Sequence, residues 1–292
     1  MKNPEFRTRF APSPTGPLHL GHAYSAMLAH DMARAAGGAF LLRIEDIDQA
    51  RARDEWEQAI YEDLAWLGLT WETPALRQSE RSAVYREGVD GLWAEGLLFA
   101  CSCNRRDVRA AAAAPNEGEP VFGPDGIVYP GTCRARKSEG HGPPPEGYAL
   151  RLDMAAALER AGIGAVAFEE TGTGPAGETG RIEVGGAEMI RGVGDVVLAR
   201  RDMGTSYHLS VVIDDAAQGI SHVVRGQDLF EATQIHVVLQ RLLGLPTPVY
   251  HHHRLIRDDA GKRLAKRDDA RAIRTYRADG ASPADIRCMV GL

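Results

Sequence analysis

Two histidines three residues apart, His19 and His22, lie near the end of a segment that reads FAPSPTGPLHLGHA from residue 10 to residue 23. Three prolines fix its path and two glycines open its backbone, just ahead of a run with helical spacing. Imidazoles in such a place offer hydrogen-bond donors to an anion, and the first amides of the helix add to them. Gly21 would let a flat ligand approach the backbone where a Cβ would obstruct it. A proline-stiffened turn carrying two solvated histidines is the plainer alternative. A zinc-protease site fits poorly, because that motif sets its histidines four apart with a glutamate between them.

A second group with chemical potential is the set of cysteines. Cys101, Cys103 and Cys133 share one short central segment, while Cys288 stands alone near the C-terminus and reads as a small apolar side chain. In a reducing compartment such clustering favours a metal over disulfides. A structural zinc wants four ligands, however, and the cluster supplies three thiols. His141 or Cys288 could complete it, and cysteines without a metal remain a further reading.

These residues need a scaffold. Residues 8–11 read as a short strand and residues 22–36 as a helix closed by Gly37 and Gly38. Residues 39–47, AFLLRIEDI, read as a second strand, and residues 53–67 and 79–95 as amphipathic helices. Strand, helix, strand, helix predicts an α/β fold with a parallel sheet of the doubly wound, Rossmann type. Turn formers then dominate between Cys101 and Gly194, so residues 101–193 read as an inserted subdomain that interrupts a catalytic domain begun by residues 1–100. Regular pattern resumes in DVVLARRD, SYHLSVVIDD and ISHVVRGQDL, followed by a helix through EATQIHVVLQRLLGL. These elements, within residues 194–257, are expected to complete the sheet, and residues 258–292 to form a basic loop and short helices.

With 292 residues, 44% of them apolar, the chain can bury one or two ordinary cores. Its net charge of −6 means that any nucleic acid must be held by local basic patches. No apolar run is long enough to cross a bilayer, and MKNPEFRTRF lacks the core of a signal peptide. The cytoplasm is the expected compartment.

The string RFAPSPTGPLHLGHA resembles the first signature of class I aminoacyl-tRNA synthetases, and more narrowly that of the glutamyl-tRNA synthetases. Three further segments agree in the family's order: LLRIEDIDQAR, SYHLSVVIDDAAQGISHVVRGQDL and GKRLAKRDDA, the last standing where the family has its KMSKS loop. The resemblance implies that His19 and His22 stabilise the triphosphate of ATP during attack on its α-phosphate. It implies that Gly21 lies against adenine and that Lys266 neutralises pyrophosphate. Arg263 stands where lysine is usual in that loop and Ala265 where serine is, so a hydroxyl is lost. For glutamate the resemblance implies a pocket of Arg9, Phe10, Ala11, Pro12, Ser13, Glu45, Tyr207 and Arg225, with Glu45 on the amino group. ATP with Mg²⁺ is the implied co-substrate.

The patterns Cys-x-Cys and Tyr-x-x-x-Cys resemble the zinc site of a shortened branch of that family, the glutamyl-queuosine tRNA(Asp) synthetases, and imply Tyr129 as the fourth ligand beside Cys101, Cys103 and Cys133. Only 26 residues follow Lys266, so the large helical domain that reads anticodons is expected to be absent. The branch activates L-glutamate without tRNA and transfers it to queuosine at the wobble position of tRNA(Asp), whose anticodon arm is the implied partner of a monomer. Arg105, Arg106, Arg109, Arg134, Arg136, Lys137, Arg267, Arg271 and Arg274 could supply phosphate contacts. Two other readings stay open: a truncated enzyme that charges a tRNA 3′ end, and a catalytically silent paralogue that binds glutamate or tRNA.

Overall fold

The computed structural model describes residues 6–113, 120–137, 142–257 and 271–292. The chain starts with strand β1 (Arg7–Phe10), crosses the proline-rich loop and enters helix α1 (Leu20–Ala35). Alanines and Met27 give α1 a buried face, and Gly37 ends it in the left-handed region at φ +65°. At Gly38 an added Cβ would lie 1.9 Å from the carbonyl oxygen of Phe6, so only glycine permits this return path. Strand β2 (Ala39–Ile44) is buried along its whole length and pairs in parallel with β1.

Helix α2 (Asp54–Trp66) leads to β3 (Glu72–Arg77), a parallel neighbour of β2 that the hydrophobic pattern does not announce. Strand β3 starts with a glutamate and carries Pro74, as suits an edge. Helix α3 (Ser82–Ala94) follows a 3₁₀ turn and leads to β4 (Leu98–Cys101). Next come α4 (Arg105–Ala112), the two-residue strands β5 (Phe122–Gly123) and β6 (Gly126–Ile127), and β7 (Ala149–Leu152). Helix α5 (Met154–Arg160), β8 (Ala165–Glu170), β9 (Gly180–Gly185), the single turn α6 (Gly186–Glu188) and β10 (Val197–Ala199) complete the middle.

Helix α7 (Tyr207–Ala217), β11 (His222–Gly226), α8 (Ala232–Leu242) and β12 (Val249–His253) follow. The pair α9 (Ile273–Ala278) and α10 (Pro283–Val290) packs back on α1, where Arg287 grips Asp31 at 2.6 and 3.0 Å.

Two sheets meet beside the start of α1. One runs β3–β2–β1, and the other runs β11–β12–β8–β9 with the first three strands parallel. They abut where the Ser221 amide donates to the Arg7 carbonyl at 3.1 Å and the Arg7 amide donates to Ser221 Oγ at 2.8 Å.

Three elements depart from the sequence reading. SYHLSVVIDD forms helix α7, not a sheet element. Its β-branched residues are buried on nearly every side, which removes the amphipathic signal of a helix. Strand β8, inside the stretch read as an insertion, pairs with β12, while DVVLARRD supplies β10 to an antiparallel sheet with β7 and β4. Long-range pairing decides both, and local composition does not encode it. No helix among the described residues is long and apolar enough to cross a membrane.

Candidate active site

Where the two sheets meet, a cleft of about 410 Å³ opens beside the N-terminus of α1. Arg9, Phe10, Ala11, Pro12, Ser13, His19, Gly21, His22, Glu45, Tyr207 and Arg225 all line it. Lys266, with Arg263, Ala265 and Arg267, lies outside the described residues, as does His141.

The helix start is more fully capped than its sequence suggests. His19 is the N-cap of α1: its Nδ1 accepts from the Gly21 amide at 3.1 Å, and His22 Nδ1 accepts from the His19 amide at 3.2 Å. The His22 and Ala23 amides bond to the His19 carbonyl. The expectation of outward, unpaired amides therefore fails for these groups. With each Nδ1 accepting, the neutral rings carry their protons on Nε2. The imidazoles, not the capped amides, are the donors on this wall. Their centroids are 3.8 Å apart. Gly21 spares space for a side chain as well as for any ligand: its Cβ would fall 3.0 Å from His19 Cε1.

The opposite wall is an ion network. Arg9, 4% exposed, donates from Nε and Nη2 to the two oxygens of Asp215 on α7, at 2.9 and 3.3 Å, and from Nη1 to the Val224 carbonyl. Arg43, fully buried on β2, donates from Nη1 to Asp215 at 2.7 Å and from Nη2 to Glu45 at 3.1 Å. Burial disfavours the Asp215 charge, but the two guanidinium groups outweigh it and hold the carboxyl below its ordinary range. For Arg43 burial opposes the charge, and Asp215 with Glu45 prevails, so its pKa rises. Glu45 moves the other way: burial lifts its pKa despite Arg43 and Arg9. Tyr207, first residue of α7, is lifted by burial against the pull of Arg225 and stays a phenol.

Arg225 on β11 is different. It donates from Nε to His252, from Nη1 to His236, and from Nη2 to Thr233 and the Leu229 carbonyl, at 2.7–3.2 Å. None of these partners is a carboxylate. Arg9 and Arg43 thus each bond a carboxylate, whereas Arg225 bonds none among the described residues; Asp228 and Arg254 also line the cleft.

Sequence reasoning found Arg9, Glu45 and Arg225 as candidates and missed Arg43, Asp215, His236 and His252. Arg43 had a signal, being a charge inside the apolar run LLRI, which demands a buried partner. Asp215 had none, because only the helical geometry of α7 brings it to Arg9 and Arg43.

Away from the cleft, Cys101, Cys103 and Cys133 bring their sulfurs within 4.8 Å of one another. Cys103 and Cys133 are 3.6 Å apart, close to the ~3.8 Å that a tetrahedral zinc with bonds of about 2.3 Å imposes. Tyr129 Oη is 3.5 Å from the sulfurs of Cys101 and Cys103 and accepts from the Cys133 amide at 2.8 Å. The three thiols fit a metal, and the tyrosine hydroxyl stands beside them. Cys288 stays exposed on α10 and is no part of this group.

Of the basic residues suggested for phosphate contact, Arg134 pairs with Asp195 at 2.7 Å and Lys137 with Asp153 at 3.2 Å. Arg271 pairs with Asp279, and Arg274 stacks on Trp56. Arg105, Arg106 and Arg109 are exposed on α4.

Comparison with known proteins agrees with this geometry. Residues 5–120 and 179–292 match the catalytic domain of the class I tRNA synthetases (E and Q). A glutamyl-Q tRNA(Asp) synthetase of Rhodobacter capsulatus is 65% identical over 98% of this chain and 99% of its own. One from Symbiobacterium thermophilum is 40% identical over 95% of this chain and 83% of its own. Among solved structures, a glutamate tRNA ligase from Elizabethkingia meningosepticum, in complex with its amino acid, superposes with a TM-score of 0.75 at 27% identity. That match covers 98% of this chain but only 60% of the ligase. The chain belongs to the class I tRNA synthetase family, in its glutamyl-Q tRNA(Asp) synthetase branch.

Proposed function

We propose that the cleft joins L-glutamate to ATP, giving glutamyl-adenylate without tRNA, and that the glutamyl group then passes to queuosine at the wobble position of tRNA(Asp). The observation that carries the amino-acid choice is that, among the described residues, no carboxylate bonds the buried guanidinium of Arg225. The side-chain carboxylate of glutamate would pair with Arg225; glutamine would leave that guanidinium without a carboxylate in a buried site, at a cost of about 1–3 kcal/mol. Arg225 and the Tyr207 hydroxyl hold the side-chain carboxylate. Glu45 completes its coordination with the α-ammonium, which also offsets the cost of its burial.

In the chemical step an oxygen of the α-carboxylate attacks the α-phosphorus. The new O–P bond forms as the bond to the β-phosphate oxygen breaks, and pyrophosphate leaves with its electron pair. Such a step needs positioning and charge neutralisation rather than a protein nucleophile. The Nε2 protons of His19 and His22 serve the phosphate oxygens, and Lys266 serves the departing pyrophosphate. Mg²⁺ accompanies ATP and supplies further neutralisation of the triphosphate. A zinc ion held by Cys101, Cys103, Cys133 and Tyr129 would stabilise the segment after β4. A monomer in the cytoplasm completes the reading.

The test is to incubate the protein with glutamate, ATP and total tRNA from queuosine-containing cells, digest the RNA, and analyse nucleosides by mass spectrometry. Glutamylated queuosine is expected. Glutamate found only on the tRNA 3′ end would overturn the acceptor assignment. No glutamate-dependent exchange of pyrophosphate into ATP would overturn the activation step as well.

A further inference from the structure

Arg9 and Arg225 lie on neighbouring strands, β1 and β11, at the same cleft, yet their charges are treated in opposite ways. Asp215 compensates Arg9 through two oxygens. Around Arg225 the protein places rings instead. His252 Nε2 accepts from Arg225 Nε at 3.0 Å, so the proton of that imidazole belongs on Nδ1, where Glu170 accepts it. Glu170 is in turn fixed by the amides of His252 and Gly172, at 2.8 and 2.7 Å. Burial disfavours its charge, but the His252 side chain and these amides outweigh that and hold its carboxyl below the ordinary range.

On the other side His236 Nδ1 accepts from Arg225 Nη1 at 3.1 Å, which puts its proton on Nε2. That nitrogen then donates to His208 Nδ1 at 3.1 Å. His208 Nε2 points toward Asp125, 3.6 Å away, in the turn between β5 and β6. Both His236 and His252 are almost completely buried. With Thr233 Oγ1 and the Leu229 carbonyl on Nη2, four of the five guanidinium N–H bonds are occupied. Among the described residues, one Nη1 proton has no partner.

We infer that His236 and His252 are positioning residues for the acidic amino acid: as neutral rings of opposite tautomer they lock the Arg225 fork, neutralise none of its charge and leave one Nη1 proton for the ligand carboxylate. A carboxylate in either place would hold the fork as well but cancel the charge that selects glutamate. A protonated ring would lose the acceptor that holds the fork. The hydrogen-bond directions demand this tautomer pair, since each ring must accept from Arg225 and donate away from it. Glu170 and His208 support the two rings from behind. This inference rests on glutamate as the ligand of the cleft.

The test uses glutamate-dependent exchange of labelled pyrophosphate into ATP with the full chain. His236→Leu and His252→Leu are expected to raise KM for glutamate at least about tenfold, through loss of an acceptor on a charged donor, with KM for ATP within twofold of the parent. His236→Gln, whose amide can both accept from Arg225 and donate to His208, is expected to restore most of the glutamate KM. An unchanged glutamate KM in both leucine variants, or an equal rise in the ATP KM, would overturn the inference while leaving the activity intact.

Two-bond ¹H–¹⁵N correlation of the labelled parent protein at neutral pH supplies an independent reading, assigned through the signals lost in His236→Gln and His252→Gln. His236 protonated on Nε2 and His252 on Nδ1 are expected, and a cationic ring or the reverse tautomers would overturn the inference even if the leucine variants fail to fold. A parent protein without glutamate-dependent exchange would instead strike the proposed function, and the nitrogen spectrum alone would then decide the tautomer claim.

Discussion

The cleft and the cysteine cluster both gather polar side chains away from water, but they are completed in different ways. In the cleft, Asp215 binds Arg9 and Arg43 together, and the two guanidinium groups stabilise its charge in return. The network closes on itself and, among the described residues, leaves Arg225 without a carboxylate. In the cluster, Cys101, Cys103, Cys133 and the Tyr129 hydroxyl have mainly one another. Burial and the hydrogen-bonded thiols push the Tyr129 phenol well above its usual range. A site that must discriminate between ligands is built before the ligand arrives; a site that must only be held together can leave its cement to an ion.

That contrast can be broken in order of expected effect. Asp215→Asn strands two buried guanidinium groups at once, and its unfolding free energy in urea is expected to fall by about 3–5 kcal/mol. A loss under 1 kcal/mol would mean that the cleft does not depend on its own ion network. Removing the cluster's metal with a strong chelator, or replacing Cys133 by serine, is expected to lower the melting temperature by several degrees, equivalent to about 2–3 kcal/mol, with glutamate-dependent exchange largely kept. Metal analysis should find one zinc per chain in the parent and none in the variant. A parent protein free of metal and indifferent to chelator would erase the distinction between the two regions.

A smaller effect concerns Glu45. Burial raises its pKa, so on acidification it takes up a proton sooner than an ordinary glutamate and loses its hold on the substrate ammonium. Therefore kcat/KM for glutamate should climb with pH through a limb lying above the usual carboxylate range. Glu45→Gln should depress the activity and abolish that limb, and a parent profile that is flat through mildly acidic pH would contradict the assignment. The smallest effect belongs to Gly21→Ala. The new methyl would press on the His19 ring by a few tenths of an ångström, and a rise in KM for ATP of about threefold is expected with KM for glutamate unchanged.

Much of the cleft was legible in the sequence because its residues sit inside short strings whose chemistry is local. The capped histidines need only α1, whereas Arg9, Glu45, Tyr207 and Arg225 were reached through the resemblance of their strings to the glutamyl-tRNA synthetases and not through local chemistry alone. The fold was legible for the first hundred residues, where strand and helix alternate, apart from β3 and the start of β4. It was less so where pattern and pairing part company, as in α7, whose valines read as a strand, and in β8, whose partner β12 lies some 80 residues onward.

What the sequence decided by itself, then, is which functional groups exist and which of them are neighbours along the backbone: the histidine pair, the Cys-x-Cys step, the buried-charge warning in LLRI. What only the tertiary structure decided is the fate of each charge. Whether an arginine is spent on a carboxylate, as Arg9 is on Asp215, or held between two imidazoles, as Arg225 is, depends on atoms brought together across more than 200 residues in the first case. Coulomb and hydrogen-bond energies fall off over a few ångströms of space, and distance along the chain does not enter them.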